Sequence, residues 1–260
     1  MLEVQRTVDR SLVHKLAVSE VLITDWTTVD GSVWVAAQWP RRHWFFGEPH
    51  LRLDPVLVME TFRQAWVLVA HTSFGVPLSS HVVMEEHGLR IDKTVASSDP
   101  KPPTVWLKFS TLHAGRSAGA GSSLQLSAEI FVAGVAIAHA WGKARLVTKS
   151  VYERMRRRPP RADLVAQFRW PSERCVVAFD TRHPVFFDHP NDHVPGMLLI
   201  SAACDAVRSE DSIRQIRARF IRYFELNSTI SLERATTEPG SVVLRFYQLG
   251  TCGGEVEICW

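Results

Sequence analysis

The chain has 260 residues, 46% hydrophobic and 22% charged, with a formal net charge of +3. This composition excludes an intrinsically disordered chain. The near-balance of 30 basic against 27 acidic side chains excludes the basic stripe of a nucleic-acid protein. The length admits one large domain or two of roughly 100 to 150 residues.

The first twenty residues, MLEVQRTVDRSLVHKLAVSE, carry charges throughout and lack the apolar stretch of a signal peptide. Val21 to Trp26 and Ser32 to Trp39 are rich in β-branched and aromatic residues and flank Asp30-Gly31, which predicts two strands joined by a tight turn. Asp54-Pro55 then reads as a helix start, Asp as N-cap and Pro in the first turn. The run VLVMETFRQAWVLVAHTSF follows, ended by Gly75 and Pro77. It is apolar almost all round, so other structure must enclose it. Strand patterns come next at 81–85, 104–112, 123–132 and 136–147. The glycine-rich 115–123 lacks the Lys-Ser/Thr and helix of a phosphate loop and reads as a hairpin connection. A sheet wrapped round one central helix is the hot-dog fold.

The basic run Arg154, Arg156, Arg157, Arg158 and Arg161, interrupted by Pro159-Pro160, reads as an exposed linker, with docking of an acidic carrier protein as the second reading. The order then repeats in shorter form: a strand at 175–179, a Pro-rich approach, an apolar helix beginning at Pro195-Gly196, and strands in IRARFIRYFEL, SVVLRFYQL and EVEICW. Aligning the helix starts sets Asp54/Pro55 over Pro195/Gly196, Leu57 over Leu198 and Ala65 over Ala206. The expectation is an α+β double hot-dog, two antiparallel sheets each wrapping a helix, with modules at 1–155 and 175–260 and a linker at 156–174. The four cysteines have no C-x-x-C pair or zinc spacing. With no membrane-length apolar run, this predicts a cytoplasmic protein.

Three stretches resemble the A-factor (γ-butyrolactone) biosynthesis hot-dog family: VHKLAVSEVLITDW (13–26), AQWPRRHWFF with DPVLVMETFRQA and HTSFGVP (37–77), and HPVFFDHPNDHVPGMLL (183–199). The last is the most specific, and together they span both modules in the family's order. The approach-plus-helix pattern is similar, more distantly, to hot-dog dehydratases, where a His in the approach and a Glu on the helix form the catalytic pair. The resemblance implies condensation of a β-ketoacyl thioester, carried on acyl carrier protein or coenzyme A, with a phosphorylated three-carbon alcohol such as dihydroxyacetone phosphate. No cofactor is implied. The family's functional carboxylate and arginine fall on Glu60 and Arg63. In the second helix the aligned positions hold Ser201 and Cys204, so a Glu/Arg site cannot operate there.

On the first helix Glu60, Arg63, Gln64 and His71 fall on one polar stripe. Unpaired burial of such charges is costly, so the stripe faces a cavity, a partner or itself. One reading is an ion pair at a seam. The other is a pocket in which Glu60 is a general base and Arg63 holds a phosphate or enolate, with Gln64 and His71 binding substrate. Burial raises the Glu60 pKa and Arg63 lowers it, and the sequence leaves the balance open. His43, at the dehydratase-histidine place, is the third catalytic candidate. Arg41 and Arg42 beside it read as surface residues, with steering of a phosphate or pantetheine phosphate as the second reading. Asp188, His189, Asp192 and His193 cluster before the second helix; Pro190 breaks helical ligand spacing, so they read as pocket lining or as loop-fixing residues, with no metal. Gly196 opens the second helix, whose amides suit an anion or a polarised carbonyl. Ser201 lacks a nucleophile elbow and Cys204 reads as core. Trp34, Trp39, Trp44 and Trp66 read as core or acyl-pocket lining.

The leading expectation is therefore a condensing acyltransferase. A dehydratase-type enzyme and a non-catalytic acyl-ligand-binding protein are the alternatives; no helix-turn-helix supports a DNA-binding receptor. Whether the modules pair within one chain or across a homodimer is open at this point.

Overall fold

The computed structural model describes residues 2–48, 53–94, 101–117, 121–157, 174–207 and 212–260. Strands β1 (Ile23–Val29) and β2 (Ser32–Gln38) form the expected hairpin. Its turn residues Asp30 and Gly31 both have positive φ, 49° and 75°, the geometry that matches strand twist and that Asp-Gly supplies. Helix α1 (Pro55–Phe74) follows. Asp54 caps it by accepting from the Val56 and Leu57 amides at 2.7 and 3.3 Å, and Gly75 ends it in the left-handed conformation at φ 63°. Four strands then wrap it: β3 (His81–Ile91), β4 (Thr104–Ser117), β5 (Gly121–Val132) and β6 (Val135–Val147).

The second half repeats this plan with β7 (Arg174–Val177), an apolar helix α3 (Gly196–Ala206), then β8 (Gln215–Phe220), β9 (Ile230–Glu238), β10 (Ser241–Gln248) and β11 (Thr251–Cys259). Between the halves lies helix α2 (Lys149–Arg156), N-capped by the Thr148 hydroxyl. The strand order is β1-β2-β4-β5-β6-β3-β8-β11-β10-β9-β7. Reading outward from the centre, β3-β6-β5-β4-β2 matches β8-β11-β10-β9-β7, with α1 and α3 in corresponding places. The first half has the extra edge strand β1.

Three expectations need correction. The two sheets are one: β3 and β8 pair antiparallel, with His87 opposite Ala218 and Leu89 opposite Ile216, so the halves join within one chain. The basic run is not wholly a solvated connector, because Arg154, Arg156 and the preceding residues form α2, and Arg156 is largely covered; Arg158 and Arg161 lie outside the described residues. Strand β9 was not anticipated. Of the tryptophans, Trp39 and Trp66 are core at 1% and 0% exposure, whereas Trp44 is 63% exposed. Trp34 packs on Phe131, 5.8 Å between ring centres, with Lys108 over its ring. Burial of α1 on nearly every side is the main apolar contribution to the fold.

Candidate active site

A cavity of about 780 Å³ opens between the two halves. One wall is α1, through Glu60, Arg63 and Val67, with His14 and Lys15 beside it and the start of β3 below. The facing wall is the loop 188–195 with the start of α3 and the segment 220–225, and α2 closes one side through Tyr152 and Arg156. The site is thus composite: the charged helix comes from the first half and the opposing loop from the second.

Glu60 is 4% exposed and lies at the centre of a charge cluster. Arg63 donates to it through Nε and Nη2, both at 2.8 Å, and Gln64 through Nε2 at 2.9 Å. Lys15 Nζ lies 3.1 Å from Oε1 and also donates to the Val185 carbonyl. Burial by itself pushes the Glu60 carboxyl pKa up, but the charges of Arg63 and Lys15 outweigh it and hold the group well below the usual carboxylate range. The balance left open by the sequence is therefore settled towards the ionised, weakly basic form. Both Glu60 oxygens are engaged by the Arg63, Gln64 and Lys15 donors, so the carboxylate holds these groups in place. Arg63 spends one edge of its guanidinium on Glu60. Its Nη1 has no protein partner among the described residues, which leaves N–H groups for a ligand oxygen.

On the facing wall Asp188 is almost fully covered. It accepts from the Leu16 and Ala17 amides at 2.7 and 3.3 Å and from His189 Nδ1 at 2.6 Å. Those bonds tie the second-half loop to the turn that presents His14 and Lys15. Burial raises the Asp188 pKa, and the bond from His189 and the charge of Lys15 bring it below its ordinary value. Further along the loop, Asp192 accepts from Tyr152 Oη at 2.7 Å, His193 Nδ1 at 2.6 Å and Arg156 Nε at 3.0 Å. Arg156 also grips Glu225 through two N–H groups, at 2.7 and 2.8 Å. Asp192 is held down to about 2: burial raises it, and the bonds from His193 and Tyr152 overcome that. Helix α2 is thereby clamped to the loop and to the 220–225 segment. Gly196 lines the cavity, and the Phe220 ring lies where its Cβ would be, as close as 2.8 Å.

Residues 2–148 and 164–207 match the family described as the A-factor biosynthesis hotdog domain. The chain belongs to this family. The A-factor family chain is 30% identical over 250 residues to a protein of Streptomyces virginiae named 2-oxo-3-(phosphooxy)propyl 3-oxoalkanoate synthase, covering 85% of this chain and 84% of that one. A protein of the same name from Streptomyces coelicolor is 30% identical over 263 residues, covering 90% and 83%. Among solved structures, an acyl-ACP thioesterase from Bacteroides thetaiotaomicron superposes with a TM-score of 0.61 at 11% identity, over 87% of this chain and 97% of that one. A 12:0-ACP thioesterase from Umbellularia californica superposes at 0.56 and 12% identity, over 87% and 96%. Those two structures establish the α+β hot-dog fold.

Against this frame the A-factor family chain places its sequence-predicted residues unevenly. Glu60, Arg63, Asp188, His189, Asp192, His193 and Gly196 line one cavity. His71 does not line it but lies behind His14, Nε2 to Nε2 at 2.9 Å. Gln64 does not line it either. It is fully buried and structural, donating to Glu20 O at 2.8 Å and accepting from the Leu22 amide at 2.9 Å. His43 is a third correction: its Nδ1 accepts from the Phe45 and Phe46 amides, both at 3.2 Å, and its Nε2 lies 3.8 Å from Glu20, away from the cavity lining. His183 makes the equivalent turn in the second half, accepting from Val185 and Phe186. Both histidines therefore act as turn-formers. Ser201 and Cys204 are also absent from the lining, and burial pushes the Cys204 thiol pKa up. Among the described residues no three His, Cys, Asp or Glu side chains gather as a metal-binding group, and no helix is long and apolar enough to cross a membrane.

The sequence reading missed His14, Lys15, His87 and Tyr152, all of which line the cavity. His87 on β3 is 2% exposed and its Nε2 has no hydrogen-bond partner. Burial and then the Arg63 charge push its imidazole down to about 3, so it is neutral.

Proposed function

We propose that this chain is a condensing acyltransferase that joins a β-ketoacyl thioester to a small phosphorylated alcohol such as dihydroxyacetone phosphate. The observation that carries the reading is the buried Lys15–Glu60–Arg63 cluster at the wall of the inter-half cavity, with Arg63 Nη1 unspent. A fixed guanidinium N–H stabilises an oxygen that gains negative charge, as a thioester carbonyl does on attack by an alcohol. Apolar side chains of Val67, Phe186, Leu199, Ile200 and Phe224 line the same space and suit an acyl chain. Arg222, exposed at the rim, suits a phosphate on either substrate. The names of the Streptomyces relatives describe a phosphooxypropyl ester of a 3-oxoalkanoate, the product such a transfer gives.

In this reading the acyl donor enters as an acyl carrier protein or coenzyme A thioester, and Glu60 positions Arg63 and Lys15 rather than moving a proton. A dehydratase arrangement lacks its pair, because His43 faces Glu20 and Glu60 is committed to cations. The missing charges at Ser201 and Cys204 do not touch the site, which takes its charged helix from the first half. The test is incubation of the purified protein with β-ketoacyl thioesters of several chain lengths, with and without dihydroxyacetone phosphate, followed by mass spectrometry. The expected result is co-substrate-dependent ester formation, abolished by Arg63→Ala. Thioester binding without turnover overturns the reading in favour of a non-catalytic acyl-binding protein.

A further inference from the structure

We propose that His14 is a further catalytic residue of this cavity, its Nδ1 taking the proton from the attacking hydroxyl, and that His71 is the positioning residue that fixes the tautomer this requires. The proposal rests on the acyl-transfer reading above.

The chain of hydrogen bonds determines where the protons are. His71 Nδ1 lies 2.6 Å from the Val76 carbonyl oxygen. A carbonyl only accepts, so Nδ1 carries the proton and, in a neutral ring, Nε2 carries the lone pair. His14 Nε2 lies 2.9 Å from that Nε2, so it must be the donor. The remaining nitrogen of a neutral His14, Nδ1, then holds a lone pair and has no protein partner among the described residues, while the ring lines the cavity. This is the arrangement of a base oriented by a second group that is itself oriented by a third.

His14 is one of four non-glycine residues with positive φ among the described residues. It terminates the turn Arg10–Val13 in the left-handed conformation, φ 52° and ψ 51°, with its N–H bonded to Arg10 O and Ser11 O. Histidine, like Asn and Asp, enters that region more often than most side chains, and here the conformation closes the turn. The next residue is Lys15, paired with Glu60, so one turn delivers two functional groups to the same wall. The charged and titratable groups that act on the His14 ring are His71 and Arg63 of α1, His189 of the facing loop and His81 of β3. Burial is the largest cause that pushes its pKa down to about 3, and the Arg63 charge adds to it, so the lone pair is free before substrate arrives. A phosphorylated substrate offsets the Arg63 charge and makes protonation of the ring easier in the loaded cavity.

The step balances without any further reagent. The hydroxyl proton passes to His14 Nδ1 as the hydroxyl oxygen bonds to the thioester carbonyl carbon. The carbonyl oxygen takes the electron pair beside Arg63. Collapse breaks the C–S bond, and the imidazolium returns the proton to the departing thiolate, giving ester and free thiol.

The experiment uses the full-length protein and the thioester assay with dihydroxyacetone phosphate. His14→Gly suits the left-handed backbone and leaves an imidazole-sized hole. Its kcat is expected to fall by about 10²- to 10⁴-fold with little change in KM, and added imidazole is expected to restore part of the rate. His71→Gln, whose side-chain oxygen can still accept from His14, should retain more kcat than His71→Leu at similar KM. His14→Asn, which also tolerates the left-handed region, decides the matter if the glycine variant loses its thermal transition. Wild-type turnover matched by His14→Gly or His14→Asn overturns the role of His14 alone. Loss of rate without imidazole rescue, with Gln and Leu at position 71 equally impaired, assigns the pair a structural role and also overturns it. Absence of turnover in the wild type overturns the acyl-transfer reading and this step with it.

Discussion

Arg63 meets Glu60 edge-on, Nε to Oε2 and Nη2 to Oε1 both at 2.8 Å, one turn apart on a helix enclosed by the sheet. The planar fork is held flat against the carboxylate, which aims the unspent Nη1. Lysine retains the charge but has neither the fork nor the second set of donors. Arg63→Lys is therefore expected to lower kcat/KM by about 10²- to 10³-fold, the usual loss for one fixed donor to a developing oxyanion, while circular dichroism stays that of the wild type. Steady-state kinetics on the thioester checks this.

Glu60 is the shared counter-charge of Lys15 and Arg63. Glu60→Gln leaves both cations buried with no carboxylate between them, and a loss of about 3 to 5 kcal/mol is expected. Lys15→Met in the same background should recover part of it. A urea-unfolding double-mutant cycle gives the coupling directly, and additive effects would show that Lys15 and Glu60 do not interact.

Acid stability follows from two imidazoles, His87 buried and His14 half-buried. His14 and His87 both have folded-state pKa values lowered from 6.5 to about 3. Below pH 6.5 the unfolded chain takes up protons that the folded one refuses. Their contribution is thus complete above pH 6.5 and is lost as the pH falls from 6.5 towards 3, at about 1.4 kcal/mol per pH unit for each group. Glu60, also lowered, adds to the loss only below its ordinary 4.5. Unfolding free energies at pH 7.5, 6 and 5 should show this slope, and His87→Leu should reduce it by about one histidine's share.

The indole of Trp141 lies over Gly88 so closely that a Cβ there would stand 2.0 Å from Cε2. Trp141 Nε1 also donates to Glu86 at 2.8 Å. Gly88→Ala must displace the ring and break that bond, with an expected cost of about 1 to 3 kcal/mol. A lower melting temperature, with a red shift in tryptophan emission, is the predicted signature.

Arg156 joins α2 to both Asp192 and Glu225. Its removal unfastens one side of the cavity without touching Arg63 or Glu60. Arg156→Ala is expected to raise KM several-fold with a smaller change in kcat, and to expose 149–157 to limited proteolysis. An unchanged KM would show that the clamp has no part in shaping the site.

Much of this architecture was legible because local rules and tertiary demands agree. Asp54, Pro55 and Gly75 bracket α1 by capping chemistry alone, and Asp30-Gly31 is a hairpin turn wherever it occurs between strands. The apolar girth of α1 required a wrapped sheet, and the carboxylate and guanidinium on it stood out against that background. The failures have equally local causes. His14 and Lys15 sit on a short turn with no periodicity, and their meaning comes from Glu60 and His71, forty-five and fifty-seven residues away. His87 lies beyond the strand predicted at 81–85, and residues 87 to 89 are buried in succession, so no alternation marks it. Arginine-rich α2 looked like a solvated linker because nothing in its sequence reveals the carboxylates at 192 and 225. His43 matched a dehydratase position, yet its ring is used to bind the backbone of its own turn, a task His183 repeats.

The internal repeat has a consequence for how this molecule responds to change. The cavity takes Glu60 and Arg63 from the helix of one copy, Lys15 from the turn before β1, and its opposing face from the loop of the other copy, so the copies are not interchangeable spare parts. Residues 201 and 204 lie off the cavity lining, whereas their counterparts at 60 and 63 are on it. Neither half by itself carries both walls of the cavity.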